Sequence, residues 1–295
     1  MSKITTADIK NGFENNGYIG EEEIIVTVYL AVKLNKPLLI TGAPGVGKTE
    51  IAKVLSNIFD TELIRLQCYE GLDENKALYE WNYQKQLLKI QMSADNNNSL
   101  EKDIFSYKYL LERPLLQAIR AEKRAVLLID EIDKTDHEFE AFLYEVLSDF
   151  QVSIPELGTV QARQVPIVIL TSNGDRELSD GLKRRCIFLY IDYPDIEKEV
   201  RILRTKVPDV GEKLSLQIAR ATNLLRSIDL AKAPSISETL DWARALIDLE
   251  TKSLDESAVT NTLNLLLKDK SDQDKFKAEL GVKKLVRESV AINER

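Results

Sequence analysis

The sequence predicts an α/β domain built on a mostly parallel sheet, followed by a small all-helical domain. Three observations carry this. Short apolar runs of strand length alternate with helical patterns between residues 37 and 191, the arrangement of parallel strands with helices on both faces. The first of these runs opens straight into a glycine-rich loop and a helix. After Asp192-Tyr193-Pro194-Asp195 the strand-like runs stop and only helical stripes follow.

Taken in order, Ile25, Val28, Tyr29 and Val32 recur with the spacing of an amphipathic helix, which Pro37 ends. PLLIT (37–41) reads as the first strand, 48–58 as a helix and ELIRLQ (62–67) as the second strand. RAVLLIDE (124–131) is the third, ending in two carboxylates, and Phe139, Phe142, Leu143, Val146, Leu147 and Phe150 make an apolar stripe after it. VPIVILTSN (165–173) is the fourth strand and CIFLYI (186–191) the fifth. Two insertions interrupt the alternation. Residues 73–112 hold an aromatic-rich stretch expected to be helical, LYEWNYQKQLLKIQ, and a polar loop, ADNNNS, whose Asn96–Ser99 part reads as solvated, with a reach into a ring pore as the competing reading. Residues 151–163, QVSIPELGTVQAR, alternate around a Pro-Glu-Leu-Gly turn and predict a β-hairpin. Leu214, Ile218, Ala221 and Leu225, then Leu240, Ala243 and Leu246, mark helices of a second domain. The expected boundaries are 1–193 and 194–295, with a charged tail from about 281 expected to fray.

Composition narrows the function. With 295 residues, 44% apolar and 30% charged, the chain has the make-up of a soluble globular protein. A net charge of −8 argues against a general nucleic-acid binder. Cys68 and Cys186 have neither a metal spacing nor a disulfide framework, which fits a reducing compartment. The first twenty residues lack the apolar core of a signal peptide, and no apolar run nears the ~18 residues of a membrane span; a cytoplasmic protein is expected. A single histidine, His137, and the lack of HExxH argue against zinc chemistry. His137 falls at a helix start, where capping accounts for it; Trp81 and Trp242 read as core, and Cys68 as packing.

The chemistry is concentrated in three stretches. GAPGVGKT (42–49) has the spacing of a phosphate-binding loop between a strand and a helix. Gly42, Gly45 and Gly47 allow the backbone to turn its N–H groups onto a phosphate chain. Ala43, Pro44, Val46 and Glu50 complete the cradle, Lys48 reaches the outer phosphates, and the Thr49 hydroxyl is a ligand for Mg²⁺. LLIDE (127–131) would bring Asp130 and Glu131 out at the C-terminal edge of the sheet, where ligands bind in open α/β folds. There Asp130 serves the metal and Glu131 orients or deprotonates the attacking water. ILTSNGDRELSDGLKRRC (169–186) ends a strand in Asn173, an amide that can both donate and accept; a plain Asn-Gly turn is the competing reading. The same stretch carries Lys183, Arg184 and Arg185, either a solvated basic cluster or an arginine supplied to a neighbouring subunit's nucleotide.

Together these stretches resemble an AAA+ ATPase, and the insert and hairpin resemble its helix-2-insert clade. QCYEGLD, YEWNYQKQLLKIQ, LLERPLL, LLIDEIDK, EFEAFLYEVLSDFQVSIPE, ILTSNGDREL, LKRRC, YIDYP and APSISETLDWARAL look like the CoxD-like branch of the MoxR family, over about residues 17–250. The resemblance implies a P-loop NTPase core with a five-stranded parallel sheet, a helix-2 insert, a hairpin before the sensor strand and an all-α lid. It implies ATP and Mg²⁺ as cofactors and a homo-oligomeric, usually hexameric, ring. It also implies chaperone-like remodelling or maturation of a protein client, often with a von Willebrand A-domain partner. By position it assigns Lys48, Thr49, Asp130, Glu131 and Asn173, and leaves the arginine finger between Arg184 and Arg185. Tyr18 and Ile19 fall where such proteins pack adenine, although a core role suits them equally. One departure stands out: the lid segment PSISE (234–238) has no arginine where relatives carry one, leaving either Arg226 or Arg244 as a substitute or no such lid contact at all. Two other classes stay open: a nucleotide-gated binding module with slow hydrolysis, and a motor dependent on GTP or nucleic acid.

Overall fold

A computed structural model describes residues 4–92 and 104–291 of the chain. Its central sheet consists of β1 (Leu38–Gly42), β2 (Leu63–Gln67), β5 (Val126–Asp130), β8 (Ile167–Ser172) and β9 (Ile187–Ile191) in the order β2-β5-β8-β1-β9. The insert supplies β3 (Tyr79–Trp81) and β4 (Leu110–Glu112), and the hairpin β6 (Gln151–Ile154) and β7 (Gly158–Gln161). The central strands pair in parallel: Leu63 to Gln67 lie against Val126 to Asp130, and Leu38 to Thr41 against Ile169 to Ser172. Every residue of β5 and β8 is buried, which is why both read as unbroken apolar runs rather than alternating ones. Parallel pairing puts the C-terminal ends of the strands on one edge. Gly42, Gln67, Asp130 and Ser172 therefore terminate side by side, and the candidate site is built on the ends of β5 and β8.

The chain divides into two compact units. One takes Met1–Gly12, Gly20–Gly42 and Lys48–Tyr190; the other takes Phe13–Ile19, Ala43–Gly47 and Ile191–Arg295. In the first unit, helices Lys48–Ile58, Pro114–Arg120 and His137–Ser148 bury apolar faces. In the second, helices Ile196–Lys206, Glu212–Arg226, Ile236–Asp248, Glu256–Thr262, Lys270–Glu279 and Gly281–Val290 enclose a core around fully buried Trp242 and Phe276. Trp242 Nε1 donates to Thr262 Oγ1 at 2.7 Å, satisfying its one polar atom. No helix among the described residues is long and apolar enough to cross a membrane.

Several expectations change. Helix Glu22–Leu34 stops before Pro37, because Asn35 takes the left-handed conformation (φ 50°) and its N–H caps Ala31. The stretch LYEWNYQKQLLKIQ is helical only from Tyr83. Before that, Tyr79–Trp81 is a strand paired antiparallel with Leu110–Glu112, an association about thirty residues apart in sequence with no local signature. Trp81 is buried there, edge-on to Tyr79 and Phe105. The ADNNNS loop lies outside the described residues. The hairpin forms as expected, with Val152 opposite Val160. The tail expected to fray is instead a helix, Gly281–Val290, burying Leu285 and Ser289 four residues apart; its charged surface residues hide that spacing in the sequence. A further helix, Thr6–Asn15, was not anticipated and buries Ile9 and Phe13.

Candidate functional site

The first unit brings five side chains from two strand ends and one helix to one place. Lys48 opens helix Lys48–Ile58 and is buried. Its ammonium donates to Gly42 O at 2.6 Å and to Asn173 Oδ1 at 2.8 Å. Burial pushes this ammonium below the usual lysine range, while Asp133, Asp130, Glu131 and Asp175 pull it back up. Two of these carboxylates are also paired with other cations, Asp130 with Arg65 and Asp175 with Lys134, and the desolvated lysine gains from an added anion.

Thr49 Oγ1 donates to Asp130 Oδ1 at 3.1 Å. Asp130, at 3% exposed, is held at both oxygens: Oδ1 also accepts from Thr171 Oγ1, and Oδ2 accepts from Arg65 Nε at 3.0 Å and from its Nη2. Thr49 and Asp130 offer hard oxygen donors side by side, the chemistry Mg²⁺ selects. Among the described residues no group of three or more His, Cys, Asp or Glu could hold a metal. A cation here would thus rely on one or two protein oxygens plus a ligand's own, as Mg²⁺ in nucleotide sites does.

Glu131 occupies a left-handed conformation (φ 57°) that costs a non-glycine residue roughly 1–3 kcal/mol. Two contacts hold it: its N–H donates to Thr171 Oγ1 at 2.9 Å, and its Oε2 accepts from Gln67 Nε2 at 3.1 Å. Asn173 and Asp175 both donate backbone N–H groups to buried Asp133. Farther along, fully buried Glu140 accepts from Arg176 Nη2 and from Ser179 N. The connection from Asn173 to helix Asp180–Arg185 is thereby pinned at both ends.

That helix separates the two candidate arginines. Arg185 donates to Ser148 Oγ at 2.8 Å and Gly181 O at 2.9 Å, and its guanidinium lies 4.1 Å from the Tyr144 ring centre. Arg184 is exposed, and its side chain makes no hydrogen bond or ion pair with another described residue. His137 is not itself the cap of its helix; Asp136 is, accepting from Phe139 N at 2.8 Å. Glu50 pairs with Lys53 at 3.1 Å on the helix surface.

In the second unit, Gly45 and Gly47 of the loop take φ 71° and 94°, which only glycine adopts freely. Ala43 and Gly47 are half-buried, Pro44 exposed and Val46 buried. A Cβ at Gly45 would come within 2.5 Å of Ser235 Cβ, so the loop admits no side chain there. Tyr18 packs edge-on to Phe13, with ring centres 5.0 Å apart, and its ring would lie 3.6 Å from a Cβ at Gly47; Ile19 is half-buried. Arg226, one of the two lid substitutes the sequence offers, is bonded within its own unit. It makes two hydrogen bonds to Glu199, at 2.7 and 2.8 Å, and one to Pro234 O, and stacks 4.6 Å from the Tyr193 ring centre. Arg244 is exposed and paired with Asp241.

A model for the AAA domain of the dynein-related subfamily matches residues 37–186, half of the chain. The chain belongs to this AAA family. The match runs from the residue before β1 to the one before β9 and so contains Lys48, Thr49, Asp130, Glu131 and Asn173. An uncharacterized protein of Staphylococcus aureus (strain USA300) is 28% identical over 251 residues, covering 81% of this chain and 88% of its own. An uncharacterized protein of Staphylococcus haemolyticus (strain JCSC1435) is 29% identical over 275 residues, covering 89% and 96%. Among solved structures, the Thermotoga maritima RuvB Holliday junction branch migration motor aligns with a TM-score of 0.52 at 18% identity, over 88% of this chain and 76% of that one. That likeness extends the AAA fold across most of the chain.

Sequence reasoning missed Arg65, Gln67 and Asp133. Gln67 lies beside Asp130 in the β2–β5 register, and no pattern in a single sequence says that the second strand pairs with the third. Asp133 follows Asp130 by three residues, a spacing that could have drawn attention to it.

Proposed function

We propose that the chain is an Mg²⁺-dependent ATPase that works as a homo-oligomeric ring, hexameric by its resemblance to MoxR-type proteins. Its work would be the remodelling or maturation of a protein client, together with a partner carrying a von Willebrand A domain. The carrying observation is the convergence of Lys48, Thr49, Asp130, Glu131 and Asn173 at the C-terminal edge of a five-stranded parallel sheet. The AAA α/β domain would take residues 1–193 and the lid 194–295, in a cytoplasmic protein.

In this reading the loop N–H groups and the N-terminus of helix Lys48–Ile58 receive the phosphates. Lys48 turns from Gly42 O and Asn173 Oδ1 onto them, recovering the charge stabilisation that burial takes from it. Thr49 and Asp130 would hold Mg²⁺, which when bound neutralises phosphate charge. Glu131 leaves Gln67 to accept a proton from the attacking water, with Asn173 orienting that water; such general-base help contributes roughly 10²–10⁴ in rate. Arg184 supplies a cation to the neighbouring subunit's nucleotide. Its exposure and lack of partners favour it over Arg185, whose guanidinium is already engaged. Client contact is supported by helix Tyr83–Met92 of the insert, where Tyr83, Leu87, Leu88 and Met92 are all more than half exposed.

The test is phosphate release from ATP across a range of protein concentration, with and without Mg²⁺. Hydrolysis that needs Mg²⁺ and rises per subunit as rings form is expected. A rate that is independent of both, or that appears only with GTP or only with added DNA or RNA, would contradict the reading.

A further inference from the structure

Asp133 sits in a single turn of 3-10 helix, Ile132–Lys134, just past the two carboxylates that end β5, and is 4% exposed. Its Oδ2 accepts two backbone N–H groups, from Asn173 at 3.0 Å and from Asp175 at 2.9 Å. Gly174 between them takes φ 83°, so both N–H groups converge on one oxygen, a small anion-binding nest. Lys134, the next residue, pairs with the Asp175 side chain and ties the same loop from outside. The residue whose backbone Asp133 grips is the one whose side-chain oxygen meets Lys48 Nζ at 2.8 Å.

The other oxygen of Asp133, Oδ1, is buried and has no hydrogen-bond partner. A buried carboxylate hydrogen-bonded only by two neutral donors, with one oxygen unsatisfied, is a poor device for stability. It is a good device for fixing a loop, because one acceptor atom sets the positions of two N–H groups at once.

We propose that Asp133 is a positioning residue for nucleotide hydrolysis, fixing the Asn173 amide relative to Lys48 through the backbone of residues 173–175. The inference rests on the ATPase reading above. It assigns the effect to hydrogen-bond acceptance, not to the charge of the carboxylate. Asparagine at 133 keeps one oxygen able to accept both N–H groups and so should position the loop nearly as well. Alanine cannot.

The experiment compares Asp133→Ala, Asp133→Asn, Asn173→Ala and the Asp133→Ala/Asn173→Ala double variant in the full chain. It reads kcat, KM, affinity for a fluorescent ATP analogue and melting temperature. Asp133→Ala should lower kcat at least about tenfold, as loss of positioning does, with KM and affinity within about threefold. The double variant should be no worse than the lower single, and Asp133→Asn should recover most of kcat. If Asp133→Ala does not fold, Asp133→Ser takes its place. Losses that multiply in the double variant, an Asp133→Asn protein as slow as Asp133→Ala, or an Asp133→Ala protein of normal kcat would each overturn the inference while leaving the ATPase reading intact. A wild-type chain that hydrolyses no nucleotide would defeat that reading, and the inference with it.

Discussion

Replacing Arg226 with alanine should unfold the second unit before it affects any chemistry. Arg226 joins helix Glu212–Arg226 to Glu199 on helix Ile196–Lys206 by two hydrogen bonds of 2.7 and 2.8 Å, with the two side chains 6% and 0% exposed. Truncating the arginine strands a carboxylate away from water and removes the stack on Tyr193. Breaking one partner of a buried pair costs about 3–5 kcal/mol, whereas replacing both by apolar groups of similar volume is often neutral. For a domain of about 100 residues, 3 kcal/mol or more corresponds to a melting temperature at least ~12 °C lower. The Glu199→Leu/Arg226→Met double variant should regain most of that loss. Urea unfolding followed by the fluorescence of Trp242, in a Trp81→Phe background, reads this unit alone, since the chain has only 2 tryptophans. A single variant that costs under ~1 kcal/mol, or a double variant as unstable as the single, would refute the reasoning. A stable double variant that had lost ATP affinity would return Arg226 to the nucleotide site.

The two arginines of helix Asp180–Arg185 should separate cleanly. Arg184→Ala should leave the melting temperature unchanged but abolish hydrolysis, by about 10³-fold or more if it acts on a neighbour. Mixing Arg184→Ala with Lys48→Ala subunits should then restore part of the activity, and mixed rings with no recovery would contradict action in trans. Arg185→Ala should instead lower stability, by roughly 1–2 kcal/mol for the lost ring stack and hydrogen bonds, checked by the same urea series. Both thiols should be unreactive. Burial pushes Cys68 and Cys186 up to about 12, reinforced for Cys68 by Asp130, Asp133 and Glu131, and opposed for Cys186 by Arg185 and Lys36. A thiol with a folded value above its unfolded value of 9.0 contributes stability fully present below pH 9.0 and lost as pH climbs towards about 12. Alkylation at pH 8.5 (about half a unit below the free thiol's pKa) should therefore be far slower in the native protein than in urea. The decline in stability above pH 9.0 should be smaller in Cys68→Ala. Alkylation of the native protein at the unfolded rate would contradict the burial.

Much of this molecule is local in the sequence. Runs such as LLID and IVIL announce buried parallel strands because both faces are covered, and the phosphate loop needs glycines at fixed positions for backbone reasons. The hairpin was legible for the same reason, since alternation and a Pro-Glu-Leu-Gly turn are neighbours in the chain. What escaped depends on pairing at a distance. Tyr79–Trp81 is a strand only because Leu110–Glu112 lies beside it. Gln67 reaches Glu131 only because β2 borders β5. Arg226 looked available because an arginine near a helix end is usually solvated, and nothing near it in sequence announced buried Glu199. Helix Gly281–Val290 was hidden by its own charge: Lys283, Lys284, Arg287 and Glu288 surround the two residues it buries.

The proposed hydrolysis stands or falls with Glu131 and the site around it. The most direct measurement is ATP binding and single-turnover hydrolysis by Glu131→Gln beside the wild type, at matched protein concentration and with Mg²⁺ present. The substitution keeps the shape of a side chain that already faces an amide and removes only its ability to take a proton. The account predicts unchanged ATP affinity and hydrolysis slowed by about 10²-fold or more. Turnover at the wild-type rate in Glu131→Gln would contradict it.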